Sequence, residues 1–295
     1  MTYCVAIKVN AGLVFAADTR TSAGVDDVRT YNKMHQFEVP GERQFILMSA
    51  GNLATTQAVI ANARRDMENP GAPLSLRSVR HMYDAAEYVG QLSTRAQKDT
   101  AAQMQPSNVD LRTTLILGGQ IRGEEPAIYL IYPEGNCIST SPETPYLQIG
   151  ESKYGKPILD RIVRPETSLE DAARCALVSL DSTMKSNISV GPPLDLAILP
   201  TQALAISRKL RLDFDTPYLA LLRESWGRQL VNSFVNLPRF DWELNAQQQH
   251  LPMNGPVNPP LQMAAQQQNF APQSQGQNQS QNPAPPQAPQ SQQQS

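Results

Sequence analysis

The chain is poor in the residues on which most metal and cofactor sites depend, with three cysteines and three histidines in 295 residues. Cys4, Cys137 and Cys175 are odd in number and widely scattered, which argues against a disulfide framework and against a clustered zinc site. Buried free thiols in a reducing compartment are the expectation. His35, His81 and His250 form no metal-ligand spacing, so neither a metal nor a cofactor is expected. Long apolar runs are missing too: nothing approaches the ~20 residues that span a bilayer. The start, Thr2 to Val9, is a short apolar stretch holding Lys8. It lacks the charged head and long apolar body of a secretory signal, and a cytoplasmic protein is expected. A net charge of −2 gives no electrostatic reason for nucleic acid or an anionic membrane as partner. No G-x-x-x-x-G-K-[ST] nucleotide loop occurs, so any unfolding of a substrate would fall to a separate partner.

Charge disappears altogether from Ala246 to Ser295, a stretch of Gln, Pro, Asn, Ser and Ala with almost no large apolar side chains. Such a composition cannot bury enough apolar surface to offset the entropy of ordering it. The sequence therefore predicts one folded domain over residues 2–244 and a disordered tail over 245–295.

Within the folded part, Tyr3 to Val9 and Leu13 to Ala17 flank an Ala11-Gly12 turn and read as a hairpin. Gln36–Val39 and Gln44–Ala50 are two further strands across a Pro40-Gly41-Glu42 turn, giving four strands before any helix. Helices follow over Leu53–Met67 and Leu76 to about Gln103, the latter with Val79, Met82, Ala86, Val89 and Leu92 at helical spacing. Strands return at Arg112–Gln120, Ala127–Tyr132, Cys137–Thr140 and Tyr146–Ile149. A second helical pair occupies Lys156–Val163 and Ser168–Lys185, the latter with an N-cap and acids in its first turn. Strands at Asp195–Pro200 and Ala203–Leu212 and a helix from Pro217 to about Asn236 close the domain. Blocks of this kind predict an α+β fold, two mainly antiparallel sheets covered by helices on their outer faces in a four-layer αββα sandwich.

The chemistry centres on Met1-Thr2. Threonine is small enough that an initiator methionine before it is normally removed, leaving a free N-terminal Thr2. Such a residue can be nucleophile and base together: Oγ attacks a carbonyl and the α-amine, with a reference pKa of ~8, takes the proton, with no histidine needed. The arrangement calls for a nearby cation and an anion to hold it. Asp18, at the far end of the strand that pairs with Thr2's own, and Lys33, leading into the third strand, supply that pair.

Thr2, the Asp18-Thr19-Arg20-Thr21 run, Lys33 and Ser49-Ala50-Gly51-Asn52 resemble the proteasome β-type family of N-terminal-nucleophile hydrolases. The likeness is strongest to the bacterial Anbu (ancestral β subunit) group, in AGLVFAADTRTSAGVD, SAGNLATTQAV and IGESKYGKPILDR. It extends from Thr2 to about Leu237. The resemblance implies that Thr2 is nucleophile and base, that Lys33 tunes it, that Asp18 orients Lys33, and that Gly51 supplies an oxyanion-hole N–H. Arg20 is given a bracing role outside the catalytic set. The implied side-chain pocket is Thr21, Tyr31, Ser49 and Leu53. The chain departs from the family's Gly-Ser-Gly at Gly150-Glu151-Ser152, and from its Asp-x-x-Ser-Gly after the fourth helix. Glu151 or Ser152, and Asp181 or Ser186, are the candidate supporting residues at those places.

The implied activity is a threonine-type endopeptidase acting on peptides or unfolded proteins. A narrow amidohydrolase on one small amide or isopeptide, and a weakly active structural ring subunit, are the alternatives. With only Met1 ahead of Thr2, control of the nucleophile is expected from self-assembly into a ring or a helical stack. The helices Leu53–Met67 and Leu76–Gln103 are the expected contact surfaces.

Overall fold

The computed structural model describes residues 1–22, 28–103 and 109–243. The expected tail, 245–295, lies outside the described residues. Residues Met1–Leu237 form one compact unit. Its first sheet has the order β10–β1–β2–β11–β12, made of Tyr146–Gly150, Tyr3–Val9, Gly12–Asp18, Leu194–Pro200 and Arg208–Leu212. The second runs β5–β6–β7–β8–β9, made of Met34–Val39, Arg43–Gly51, Thr113–Ile121, Ala127–Ile131 and Cys137–Ser139. All pairings in both sheets are antiparallel. Helices α1 (Leu53–Glu68) and α2 (Met82–Gln103) belong with the second sheet, while α3 (Ser152–Ile162), α4 (Leu169–Ser186) and α5 (Pro217–Val235) belong with the first.

The apolar runs explain the layering. In β1, Tyr3, Val5, Ile7 and Val9 enter the core under α3 and α4, whereas Cys4 and Ala6 enter the core between the sheets. In β6, Phe45 and Leu47 face α1 and α2, and Ile46, Met48 and Ala50 face the first sheet. Successive side chains of a strand point to opposite faces, so strands buried on both faces must be apolar throughout. Three stacked cores, helix on sheet on sheet on helix, are the four-layer sandwich.

Several boundaries differ from expectation for local reasons. Two three-residue strands, β3 (Arg20–Ser22) and β4 (Val28–Thr30), pair with each other and lie between β2 and β5. Helix α2 starts at Met82, six residues after the predicted Leu76. Residues 75–81 form turns: the Arg43 guanidinium takes the carbonyls of Leu76 and Val79, at 3.2 and 2.8 Å. Asp84 then accepts from the His81 N–H at 3.1 Å, and Glu124 from that of Met82 at 3.0 Å, so the helix begins there. Strand β12 begins at Arg208 and not Ala203, because Gln202 and Leu204 adopt φ of 65° and 50°. That left-handed backbone cannot continue a strand. Helix α4 begins as predicted, its N-cap Ser168 accepting from the Asp171 N–H at 3.1 Å.

The surplus apolar surface also lies elsewhere than expected. The apolar residues of α1 and α2 are consumed by their own core, and on α2 Tyr83 is the one large apolar side chain left exposed. The exposed apolar face belongs to α5, at Leu221, Leu230, Val231, Phe234 and Val235. Among the described residues no helix is long and apolar enough to cross a membrane.

Candidate active site

The β1–β2 register carries the last residue of β2 to the first of β1. Cys4 pairs with Ala17, and one step on, the Tyr3 N–H donates to Asp18 Oδ1 at 2.9 Å. Thr2 stands just ahead of β1, at the rim. Asp18 is fully buried, and its Oδ2 accepts from the Gly191 N–H at 3.3 Å. Lys33, on the segment leading into β5, donates from Nζ to Asp18 Oδ1 at 2.8 Å and to the Arg20 carbonyl at 2.6 Å. Burial pushes the Asp18 carboxyl up from its ordinary range, and Lys33 together with the Tyr3 and Gly191 N–H groups draws it back. An aspartate held from three directions in a dry site orients its lysine and is itself immobile. The Arg20 guanidinium donates to the Ile188 carbonyl at 2.7 Å, clamping the loop that supplies Gly191.

A cavity of about 580 Å³ opens over this pair. Thr2, Lys33 and Gly51 line it, as do Thr21, Tyr31, Ser49 and Leu53. Three of the four expected catalytic residues and the whole expected side-chain pocket therefore share one concavity, with Asp18 one layer behind. Gly51 ends β6 with φ of 109°, and a Cβ there would lie 2.5 Å from the Arg112 carbonyl oxygen, so only glycine fits. Immediately after it, Asn52 caps α1 by accepting from the Thr55 N–H at 3.0 Å. The positive end of α1 thus opens beside the cavity, an arrangement that favours developing negative charge.

The supporting candidates divide. Glu151 lines the cavity, and its N–H donates to the Thr2 carbonyl at 2.7 Å. Ser152 is not among the lining residues; it begins α3, and its carbonyl accepts from Gln148 Nε2 at 3.3 Å. Asp181 is fully buried outside the lining, where Arg223 of α5 donates to it at 2.7 Å and Lys185 lies 3.5 Å away. Ser186 is exposed at the last turn of α4. Asp181 thus ties α4 to α5 and is not placed at the nucleophile.

Some lining residues had no signal in the sequence. Asp110 and Arg112 form an ion pair of 3.0 Å at the cavity, brought there by the pairing of Gly51 with Thr113. Gly150 and Gly191 contribute through backbone alone. Burial pushes the Cys4 thiol up and holds that of Cys175 up to about 12, leaving both as neutral core groups. No cluster of His, Cys, Asp and Glu suited to a metal occurs among the described residues.

Comparison with known proteins places the geometry. The family model described as proteasome subunit matches residues 2–199. The chain belongs to the proteasome subunit family. Anbu from Yersinia bercovieri is 44% identical with a TM-score of 0.76, covering 81% of this chain and 99% of that one. Anbu in its helical assembly from Pseudomonas aeruginosa is likewise 44% identical at a TM-score of 0.76, covering 81% and 98%. A Gly-1 mutant of Anbu from Hyphomicrobium sp. strain MC1 is 43% identical at 0.76, covering 82% and 100%. No curated protein matches the chain. The likeness to these structures extends to the two antiparallel sheets flanked by helices, and the cavity of this proteasome-family chain sits at the β1 end of that frame.

Proposed function

We propose that the chain is a threonine-type peptidase whose nucleophile is Thr2 once Met1 is removed. The observation that carries this reading is the buried Lys33–Asp18 pair beside Thr2 at the floor of the cavity. Thr2 Oγ attacks the substrate carbonyl while the freed α-amine accepts the hydroxyl proton. Lys33, held by Asp18 and the Arg20 carbonyl, stabilises the developing alkoxide. Gly51, beside the N-terminus of α1, offers backbone N–H density to the oxyanion. The amine then returns its proton to the leaving nitrogen, and water hydrolyses the Thr2 ester.

The cavity walls set the substrate class. Thr21, Ser49 and Leu53 form a small lining of mixed polarity in a concavity of about 580 Å³. A short or unfolded peptide is therefore the proposed substrate. We further propose that the chain assembles with copies of itself, as the Pseudomonas aeruginosa relative does in its helical assembly. The apolar face of α5 that is exposed among the described residues supports this.

The test combines intact mass with a covalent inhibitor selective for N-terminal threonine. The expected result is a chain lacking Met1, modified once, at Thr2, and silenced by that modification. A fully active chain that retains Met1 would overturn the mechanism.

A further inference from the structure

Glu151 occupies a place that the catalytic pair does not explain. The β1–β10 ladder ends with Tyr3 opposite Gly150. One step beyond, the Glu151 N–H donates to the Thr2 carbonyl at 2.7 Å. Gly150, at φ of 81°, approaches so closely that a Cβ would stand 1.8 Å from that same carbonyl oxygen. This close approach holds Glu151 against the backbone of Thr2 at the point where β10 ends. Thr2 and Glu151 accordingly line the same cavity.

The Glu151 side chain is only 12% exposed, yet its ion pair is a loose one: Lys153 Nζ at 3.8 Å, on a side chain that is 70% exposed. A carboxylate largely withdrawn from water is stabilised by a close cation. The cations of the cavity are already engaged, Lys33 by Asp18 and the Arg20 carbonyl, and Arg112 by Asp110. Removing Met1 creates one more, the α-ammonium of Thr2, a residue of the same cavity lining.

We propose that Glu151 is the acceptor that holds the freed α-ammonium of Thr2, positioning the base and setting the pH at which it becomes available. Lys33 and Glu151 then act on the amine in opposite senses. The lysine favours the neutral amine, which accepts the proton; the glutamate favours the ammonium, which cannot. Among the described residues, the other charged or titratable groups lining the cavity are Tyr31, Asp110 and Arg112, with Asp18 beneath Lys33 and Lys153 beside Glu151. Substituting Glu151 leaves all of these in place.

The hydrolytic consequence rests on the peptidase reading; the titration of the amine does not. The experiment uses the full chain with Met1 removed, as wild type, Glu151→Gln, Glu151→Asp and Lys153→Met. Cyanate labelling of the α-amine is followed as a function of pH, with peptide hydrolysis in parallel. The amine of Glu151→Gln should titrate about one pH unit lower than wild type, the small end of the effect of an opposite charge nearby. Glu151→Asp should fall between the two, and Lys153→Met should move slightly upward. The acid limb of hydrolysis should shift with the amine in every variant. An unmoved amine titration in Glu151→Gln and Glu151→Asp overturns the proposal even if hydrolysis is normal. A shifted amine in a protein that hydrolyses nothing sustains Glu151 and sinks the peptidase reading instead.

Discussion

The β1–β2 hairpin has a cavity at each end, and the two differ in kind. At the open end, about 580 Å³ lies above Thr2, Lys33 and Gly51, with the buried Asp18 behind them. At the turn end, about 640 Å³ is walled by Lys8, Asn10, Pro142, Pro145, Pro165 and Glu166. The two cavities are of similar volume, but the charged groups of the far one are partly or fully in water and none is locked in a buried pair. A charge removed from water is costly unless it is paired and hydrogen-bonded. The open end meets that demand with bonds converging on Asp18 from β1, from Lys33 and from the loop at Gly191. The lesson is that bound, buried charge distinguishes the candidate site, and cavity volume does not.

The sharpest way to break this comparison is to remove the nucleophile. Thr2→Ala should abolish hydrolysis and labelling by the threonine-selective inhibitor while leaving the thermal unfolding temperature within a degree or so, since Thr2 stands outside β1. Thr2→Ser should retain measurable turnover, because it keeps both hydroxyl and amine. Undiminished turnover in Thr2→Ala would move the chemistry to another residue.

The next effect belongs to the buried pair. Lys33→Ala should lower kcat/KM at least ~10²-fold, the lower end of general acid–base contributions. It should also destabilise the fold, because Asp18 would be left buried without its counter-charge; breaking such pairs costs about 3–5 kcal/mol. Asp18→Asn should slow turnover and cost stability too, since Lys33 would be left buried without its counter-charge and an amide cannot accept at both oxygen positions. Wild-type rates in Lys33→Ala would make the pair structural only.

The open end was legible in the sequence because its parts are local. Thr2, Asp18 and Lys33 are brought together by one hairpin and one connection, and Gly51 by a strand that ends where a helix begins. What the sequence concealed comes from residues distant along the chain. Asp110 and Arg112 arrive through the β6–β7 register, and Gly191 arrives on a loop held by Arg20. Their contribution is a backbone atom or a rim position, for which no spacing rule exists. That Glu151 and not Ser152 lines the cavity was equally hidden, because it depends on where β10 turns into α3. The layers themselves were readable from apolar runs, whereas the exposed face of α5 was not. Its apolar residues look the same in sequence whether a core or another surface covers them.

His35 sharpens the contrast between satisfied and unsatisfied burial two residues beyond Lys33. Neither ring nitrogen makes a hydrogen bond of normal geometry. Burial first, and then the charge of Arg64, lower its pKa to about 4 from an ordinary 6.5, with a backbone contact at Asn32 acting weakly the other way. Because the folded value lies below the unfolded one, the neutral ring's contribution to stability is fully present above about 6.5 and is lost as pH falls toward about 4. Chemical denaturation of wild type and His35→Phe across that window checks this. The difference in midpoint between the two proteins should change in favour of the variant as pH falls, and parallel curves would remove His35 from the acid sensitivity.

The smallest effect is expected at the turn end. Lys8 is half-buried and Glu166 exposed, and neither forms an ion pair within 4 Å among the described residues. Substitutions of surface side chains without such partners usually alter stability by no more than about 0.5 kcal/mol. The hairpin turn itself is held by backbone, through the Lys8 N–H to the Pro145 carbonyl and the Asn10 N–H to the Pro165 carbonyl, each at 2.7 Å. Lys8→Met and Glu166→Gln leave those bonds untouched. The double variant should therefore unfold at the wild-type denaturant midpoint and hydrolyse peptide at a rate within about twofold of wild type, the kinetic equivalent of that small energy. A large loss of hydrolysis with unchanged stability would mean that the two ends of the hairpin are coupled. The far cavity would then be part of the working molecule, and buried charge alone would no longer separate the two ends.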